Sequence, residues 1–437
     1  MKLSHSILIL FPLLLAGCSN KTQEENKPNI LIILADDQGN ADAGYQRSPS
    51  IVSTPAIDAI ANDGIVFTNA YASAYVCAPT RAGLLTGRYQ QRFGFYRAPD
   101  SRVGMPLSEV TLADVLKKEG YRTGVFGKWH LGLTEEYNPV NRGFDTFYGF
   151  LGHGGRDYFD LTLHEDPDGF HQPIYRNLQP VSDTGYLTDN IARETANFIK
   201  ECANQKEPFF AYMAFNAVHS PMQAPEKDID MFDSGDPRRD IYLAMLHRMD
   251  IGIEKVIRVL KKEGVYDNTL VFYFSDNGGA RNNSSDNLPF RDYKQSVYEG
   301  GLRVPFIISW PDRLAPSTCD EPVISIDIMP TICAVLDIDL PVDHIYDGKN
   351  IFSVIEDHIE DPLHDQLYFD GNDRSWAVRE GAWKLLLSRR GNMELYNLDS
   401  DPYEEKNLVD EHPGIVKDLK QKYTNWRSEM GTPIGGN

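Results

Sequence analysis

The side chains in this sequence that could do chemistry fall in short clusters, each at the edge of an apolar stretch. In Val76-Cys77-Ala78-Pro79-Thr80-Arg81 a thiol stands just ahead of a helix expected to begin near Thr80, with a guanidinium one turn in. A nucleophile at a helix N-terminus gains stabilisation for negative charge from unpaired backbone N–H groups. The plainer alternatives are a buried thiol at 77, since free cysteine is among the most buried residue types, and a solvated arginine at 81. Asp36-Asp37 and Asp276-Asn277 bring together four oxygen-bearing side chains. Such a set holds a divalent cation, with the side chain at 77 or a bound anion completing the shell. Flexible all-oxygen coordination suits Ca²⁺ somewhat better than Mg²⁺. Taken alone, Asp36-Asp37 could equally cap a turn. Lys128, His130, His219 and Lys294 add cations and candidate proton carriers.

These clusters need elements that end where the chemistry begins. Asn29 to Ala35 is a continuous aliphatic run stopped by the aspartates, which fits a strand buried on both faces of a parallel sheet. Strands at 121–126, 208–215, 269–274 and 304–310 follow the same logic, and three of them end in Lys128/His130, His219 and Asp276/Asn277. In open α/β sheets ligands bind beyond the carboxyl ends of the strands. Helices are expected at 55–63, 111–118, 186–204, 239–263 and 325–336. The alternation predicts an α/β fold: a large mixed, mostly parallel sheet flanked by helices. After about residue 350 short antiparallel strands at 366–370, 375–379, 383–388 and 394–396 and a helix at 415–430 predict a smaller α+β subdomain. The stretch 133–184 shows no period and reads as irregular loops over the catalytic face, where specificity residues sit. His153, Arg156 and His164 there, and Arg97 earlier in the chain, are candidate substrate contacts, or simply loop surface.

With these residues in view, Cys77-x-Pro79-x-Arg81 followed by Thr86-Gly87-Arg88 resembles the signature of the type I, formylglycine-dependent sulfatases of the alkaline phosphatase superfamily. Gly127-Lys128-Trp129-His130-Leu131-Gly132 matches that family at every position, and Lys294 to Arg303 matches its Lys-x-x-x-Tyr-Glu-Gly-Gly-x-Arg pattern. The resemblance runs over residues 28–430. It implies that Cys77 is converted by a maturase to formylglycine (3-oxoalanine), whose hydrate attacks sulfur. It also implies that Lys128 and Lys294 bind sulfate oxygens, that His130 serves the formylglycine hydroxyl and that His219 contacts the bridging ester oxygen. A sulfate monoester repels nucleophiles, so a metal, Arg81, Lys128 and Lys294 must offset the charge that builds up.

The 437 residues carry a formal net charge of −20, which excludes a general affinity for nucleic acid and requires any anion site to concentrate its cations locally. The N-terminus reads as an address: an apolar run from Ile7 to Leu15, too short to span a bilayer, then Leu15-Ala16-Gly17-Cys18. That tetrapeptide resembles a bacterial lipobox, implying lipidation at Cys18, a tether at 19–27, and export to the periplasm or cell surface with a membrane anchor. An ordinary secretory signal is the alternative. The expected division is 1–18 signal, 19–27 tether, 28–350 catalytic domain and 351–437 C-terminal subdomain. Five cysteines, two of them assigned chemistry, argue against a disulfide framework.

The expected activity is hydrolysis of sulfate esters of a sulfated glycan, as galactose or N-acetylhexosamine sulfate. Two alternatives stay open: a phosphatase, phosphodiesterase or phosphonate hydrolase of the same superfamily, and a non-catalytic glycan-binding lipoprotein.

Overall fold

The computed structural model describes residues 27–46, 52–152, 155–163, 172–356 and 361–435. Cys18, His153 and His164 lie outside the described residues, as do the signal, the lipobox and all but the last residue of the tether.

The strands, in chain order, are β1 Asn29–Ala35, β2 Gly64–Phe67, β3 Ala70–Tyr71, β4 Arg122–Lys128, β5 Thr146–Phe150, β6 Ile174–Arg176, β7 Gln179–Val181, β8 Phe209–Ala214, β9 Thr269–Ser275, β10 Phe306–Ser309, β11 Ser317–Cys319, β12 Val323–Ile324, β13 Leu367–Asp370, β14 Trp376–Glu380, β15 Trp383–Leu387 and β16 Met393–Asn397. Ten form one mixed sheet in the order β11-β2-β10-β9-β1-β8-β4-β5-β6-β7. Its centre, β9-β1-β8-β4-β5, is parallel, with Ala35 opposite Ser275, Leu34 opposite Ala214 and Lys128 opposite Phe150. The carboxyl ends of five strands therefore finish level on one edge. β3 and β12 pair separately, and β13 to β16 form an antiparallel four-stranded sheet.

The helices are α1 Pro55–Asn62, α2 Cys77–Thr86, α3 Leu112–Lys118, α4 Leu187–Gln205, α5 Glu226–Ile229, α6 Pro237–Lys262, α7 Glu299–Leu302, α8 Ile328–Val335, α9 Phe352–Ile355 and α10 Pro413–Ser428. The period-2 geometry of β1 sends Leu31 and Ile33 to one face, where α1, α4 and α6 pack, and Ile30, Ile32 and Leu34 to the other, where α2, α3 and α8 pack. Every residue of β1 is buried, as its unbroken apolar run requires. None of the described helices is long and apolar enough to cross a membrane.

Two expectations need correction. The stretch 133–184 is not all loop, because β5, β6 and β7 extend the sheet there. β5 is buried almost throughout and so lacks alternation, while β6 and β7 are only three residues each, too brief to show a period. The helix expected near Thr80 starts at Cys77 itself, with Val76 in extended conformation as its cap. All ten residues of α2 are buried. Its hydroxyls are satisfied by main-chain carbonyls, Thr80 by Ala74 at 3.0 Å and Thr86 by Ala82 at 2.8 Å.

The C-terminal sheet uses both faces. Trp376, Val378, Leu385 and Leu395 meet Leu419 of α10 on one side. Phe369, Ala377, Leu386 and Tyr396 pack with Tyr71, Tyr75, Val297 and Leu302 on the other, directly behind the Cys77 segment.

Candidate active site

Cys77 is the first residue of α2, and Val76 offers its first N–H groups no side-chain cap. Burial pushes the Cys77 thiol up to about 12, with Asp36 adding to the effect. As a cysteine it is thus protonated at neutral pH and is no thiolate nucleophile.

β1 delivers Asp36 and Asp37, both buried. Asp37 sits at φ +63, a left-handed turn that lets two adjacent carboxylates face the same space. Lys128 Nζ donates to Asp36 Oδ2 at 2.5 Å, and Lys294 Nζ donates to Asp37 Oδ1 at 2.5 Å. Burial works against ionisation of Asp36, yet Lys128, His219 and Arg81 outweigh it and hold its carboxyl below the usual range. Lys294 also reaches Cys77 Sγ at 3.0 Å. Despite its burial, Asp37 above all, with Asp36 and Asp276, keeps the Lys294 ammonium charged well past the ordinary range for lysine.

β4 must bring Lys128 close to β8. Gly127 makes this possible, because it adopts φ +114 and a Cβ there would fall 1.9 Å from the Ala214 carbonyl. β9 delivers Asp276 and Asn277. Arg81 clamps Asp276 Oδ2 with Nε at 2.9 Å and Nη2 at 2.8 Å, and donates from Nη1 to the Lys128 carbonyl at 2.8 Å. Burial raises Asp276, the Asp36 carboxylate adds to that, and Arg81 opposes it.

His130 is buried, with neither ring nitrogen hydrogen-bonded. Burial, reinforced by Lys128 and Arg81, holds it well below the usual histidine range, so it is neutral and keeps a ring nitrogen open to a hydrogen bond from a hydroxyl. His219 shares Nδ1 with the Ser220 carbonyl at 2.7 Å and places Nε2 3.6 Å from Asp37 Oδ2.

Three carboxylates (Asp36, Asp37, Asp276) face three cations (Arg81, Lys128, Lys294), and both histidines are shifted toward neutrality. A divalent ion would tip this balance to net positive, which an anionic ester requires. The donor set fits one: Asp36 Oδ1 and Asn277 Oδ1 are buried oxygens without a hydrogen-bond partner, and oxygen donors of this kind suit a hard cation. The ligand-bearing atoms of Asp36, Asp37, Cys77 and His219 all lie within 4.8 Å of one another. His219 stands in that cluster beside the expected Asp36, Asp37 and Cys77, while Asp276 gives Oδ2 to Arg81 and keeps Oδ1 toward Asp37, 3.5 Å from its N–H.

Of the candidate sugar contacts, Arg156 is fully buried, donates to the Asp157 carbonyl at 2.9 Å and leaves Nε and Nη2 without partners. Arg97 pairs with Asp100 at 3.4 Å, a capping contact of the 3-10 turn at Ala98–Arg102. Three positioning residues escaped the sequence reading. Asn283 donates to the carbonyls of Asp37 and Val218 at 3.2 and 3.1 Å, tying the β1 and β8 loops together. The Tyr158 hydroxyl bonds the carbonyls of Asn216 and His219 at 2.6 and 2.8 Å. The Tyr75 hydroxyl donates to Asp373 at 2.8 Å, fastening the loop before Cys77 to the C-terminal sheet. None lies in a periodic segment.

A family profile described as Sulfatase matches residues 28–338, and one described as N-sulphoglucosamine sulphohydrolase, C-terminal, matches residues 290–429. The chain is 31% identical to Arylsulfatase J of Mus musculus over 94% of its own length and 78% of that protein's. It is 31% identical to N-acetylgalactosamine-6-sulfatase of Rattus norvegicus over 82% of this chain and 71% of that one. Among solved structures it is similar to Ps i-CgsB in complex with k-i-k-neocarrahexaose, at 34% identity and TM-score 0.87, covering 93% of this chain and 94% of the other.

Proposed function

The chain belongs to the sulfatase family of the alkaline phosphatase superfamily, a sulfuric ester hydrolase, and from that premise we propose that it desulfates a sulfated glycan, with a galactose or N-acetylhexosamine sulfate as the reacting sugar. The observation that carries this reading is the meeting of Cys77, Lys128, His130, His219 and Lys294 around the Asp36-Asp37 pair at one edge of the sheet. Relatives named for N-acetylgalactosamine-6-sulfate and a solved relative holding neocarrahexaose support the choice of sugar.

Position 77 is used as formylglycine, made from the cysteine by a maturase. In that form it supplies a geminal diol, one hydroxyl to attack sulfur and a second through which sulfate is later expelled. Asp36, Asp37, Asp276 and Asn277 would hold a divalent cation, Ca²⁺ by the flexibility of the all-oxygen set, which would supply charge to polarise the sulfate oxygens. Lys128 and Lys294 leave their carboxylate partners to share sulfate oxygens, and Arg81 fixes Asp276 and the Lys128 carbonyl so that the cradle keeps its shape. His219, with Nδ1–H spent on the Ser220 carbonyl, acts once Nε2 carries a second proton and passes that proton to the leaving alcohol oxygen; His130 then takes the proton of the remaining hydroxyl as the C–O bond to sulfate breaks and the aldehyde reforms. Arg156, with two unpartnered nitrogens, meets a hydroxyl or anionic group of the sugar.

The lipobox-like segment supports export and anchoring by lipid at Cys18, facing periplasm or cell surface. Treating cells with a lipoprotein-processing inhibitor and following membrane association tests this; unchanged partition into the soluble fraction would overturn it.

Sulfate release from a panel of sulfated mono- and disaccharides tests the substrate class. Turnover of galactose or N-acetylhexosamine sulfates supports the reading, and activity confined to small aryl esters sinks it.

A further inference from the structure

A second concentration of positive charge lies beside the catalytic cluster and is not used by it. Between the segment 281–298 and the C-terminal sheet opens a pocket of about 390 Å³ whose lining includes Arg281, Arg291, Arg389 and Arg390. Only two carboxylates, Asp292 and Glu394, share the lining. On a protein of net charge −20, four arginines against two acids is a local reversal of sign.

The pocket is continuous with the active site through the backbone. Arg281 lies four residues beyond Asn277, and Tyr293 and Gln295, both in its wall, flank Lys294. Arg389 lies 5.9 Å from the ring centroid of Tyr75, two residues before Cys77. The arginines are held in place. Arg281 stacks over Tyr293 at 4.5 Å and Arg291 over Tyr298 at 4.0 Å. Arg389 and Arg390 occupy the tip of the β15–β16 hairpin, closed by Ser388 N–H to the Asn392 carbonyl at 2.9 Å and Gly391 N–H to the Ser388 carbonyl at 2.8 Å. Arg291 is partly spent on the Tyr396 hydroxyl and Glu394, Arg281 on Asp292, and Arg389 on Asp373. Arg390 is exposed and has no hydrogen bond or ion pair among the described residues. A guanidinium offers five donors in a planar fork, so one ion pair leaves donors over for a tetrahedral anion.

We propose that this arginine-lined pocket is an anion subsite that holds a second sulfate, carried by a sugar adjoining the one being desulfated. The subsite rests on the glycan reading above and deepens it, since a substrate filling both sites must be an oligosaccharide with sulfates on neighbouring residues. The C-terminal sheet then has a role in recognition: it contributes the hairpin that grips the chain while the β1, β4, β8 and β9 ends do the chemistry.

The test is a binding measurement, so that its result does not depend on turnover. Calcium-loaded Cys77→Ala protein is titrated with a disaccharide bearing one sulfate and with the same disaccharide sulfated on both sugars. A preference of about tenfold or more for the doubly sulfated probe is expected from a charge-assisted contact at a partly exposed site. Arg389→Ala/Arg390→Ala should bring the preference close to one, and Arg390→Ala alone, which breaks no hydrogen bond or ion pair among the described residues, should lower it at least threefold. No preference in the parent, or equal weakening for both probes in the variants, would overturn the subsite. If the preference is present while the maturase-treated enzyme, with residue 77 as formylglycine, releases sulfate from neither sugar, the subsite stands and the proposed function fails.

Discussion

The ammonium of Lys294 stands 3.0 Å from Cys77 Sγ, although 217 residues separate the two in the chain. The same ammonium touches Asp37 Oδ1, so one side chain links the position of the nucleophile to the carboxylate pair. Lys294→Ala should therefore lower kcat by about 10²-fold, in the range found on removing one preorganised charge donor. Lys294→Arg should recover part of it. Steady-state kinetics on the best substrate of the panel read this, and a KM effect with unchanged kcat would remove Lys294 from the reacting centre.

Because burial pushes the Cys77 thiol up to about 12, the unmodified protein should be inert. Expression without a maturase should give folded protein with no measurable turnover and a Cys77 that iodoacetamide does not alkylate at neutral pH. With the maturase, the peptide carrying residue 77 should be lighter by about 18 Da, the atomic difference between thiol and aldehyde. Full activity with an intact thiol would refute the assignment.

Metal removal should abolish activity and lower the melting temperature. Readdition of Ca²⁺ should restore both more fully than Mg²⁺, and ion at about 100 times its Kd should stabilise by about 2.7 kcal/mol. Asp36→Ala should cancel the thermal shift. Undiminished turnover after exhaustive chelation would contradict a metal among these oxygens.

His130 is held well below the usual histidine range by burial, Lys128 and Arg81. The folded state then binds fewer protons at this site than the unfolded state once pH falls below about 6.5, the ordinary value. Its contribution to stability is accordingly intact above that pH and is lost on acidification, at up to about 1.4 kcal/mol per pH unit. Compared by chemical denaturation from pH 7.5 to 5, the parent should lose stability faster than His130→Gln. Parallel curves would mean that the ring is solvated and titrates normally.

Lys384 of β15 is fully buried between Glu299 of α7 at 2.7 Å and Glu404 at 2.8 Å. It couples the C-terminal sheet to the segment that carries Lys294. Lys384→Met leaves two buried carboxylates without that partner and should destabilise by about 3–5 kcal/mol, the usual cost of breaking a buried pair from one side. A melting temperature within a degree of the parent would show that the remaining partners of the two acids suffice.

Much of the fold was legible because burial writes itself into composition. β1, β8 and β9 read as aliphatic and aromatic runs, and α4 and α6 as long amphipathic helices within a residue or two of their observed ends. β5 to β7 escaped because strands that short, or that thoroughly buried, leave no alternation to detect. The site was legible for a related reason: Asp36 and Asp276 follow directly on β1 and β9, Lys128 closes β4 and His219 lies in the loop after β8, so marking strand ends marked the site.

What the sequence by itself determined is the kind of chemistry: which groups exist, at the ends of which strands, beside a cysteine at a helix start. What only the tertiary structure decided is who holds whom. Arg81 takes Asp276, His219 joins Asp36, Asp37 and Cys77, and Asn283 and Tyr158 tie down the loops that carry them. Strand order in a parallel sheet is set by crossover packing, and side chains up to about 240 residues apart compete for the same few ångströms with energies that no local pattern records.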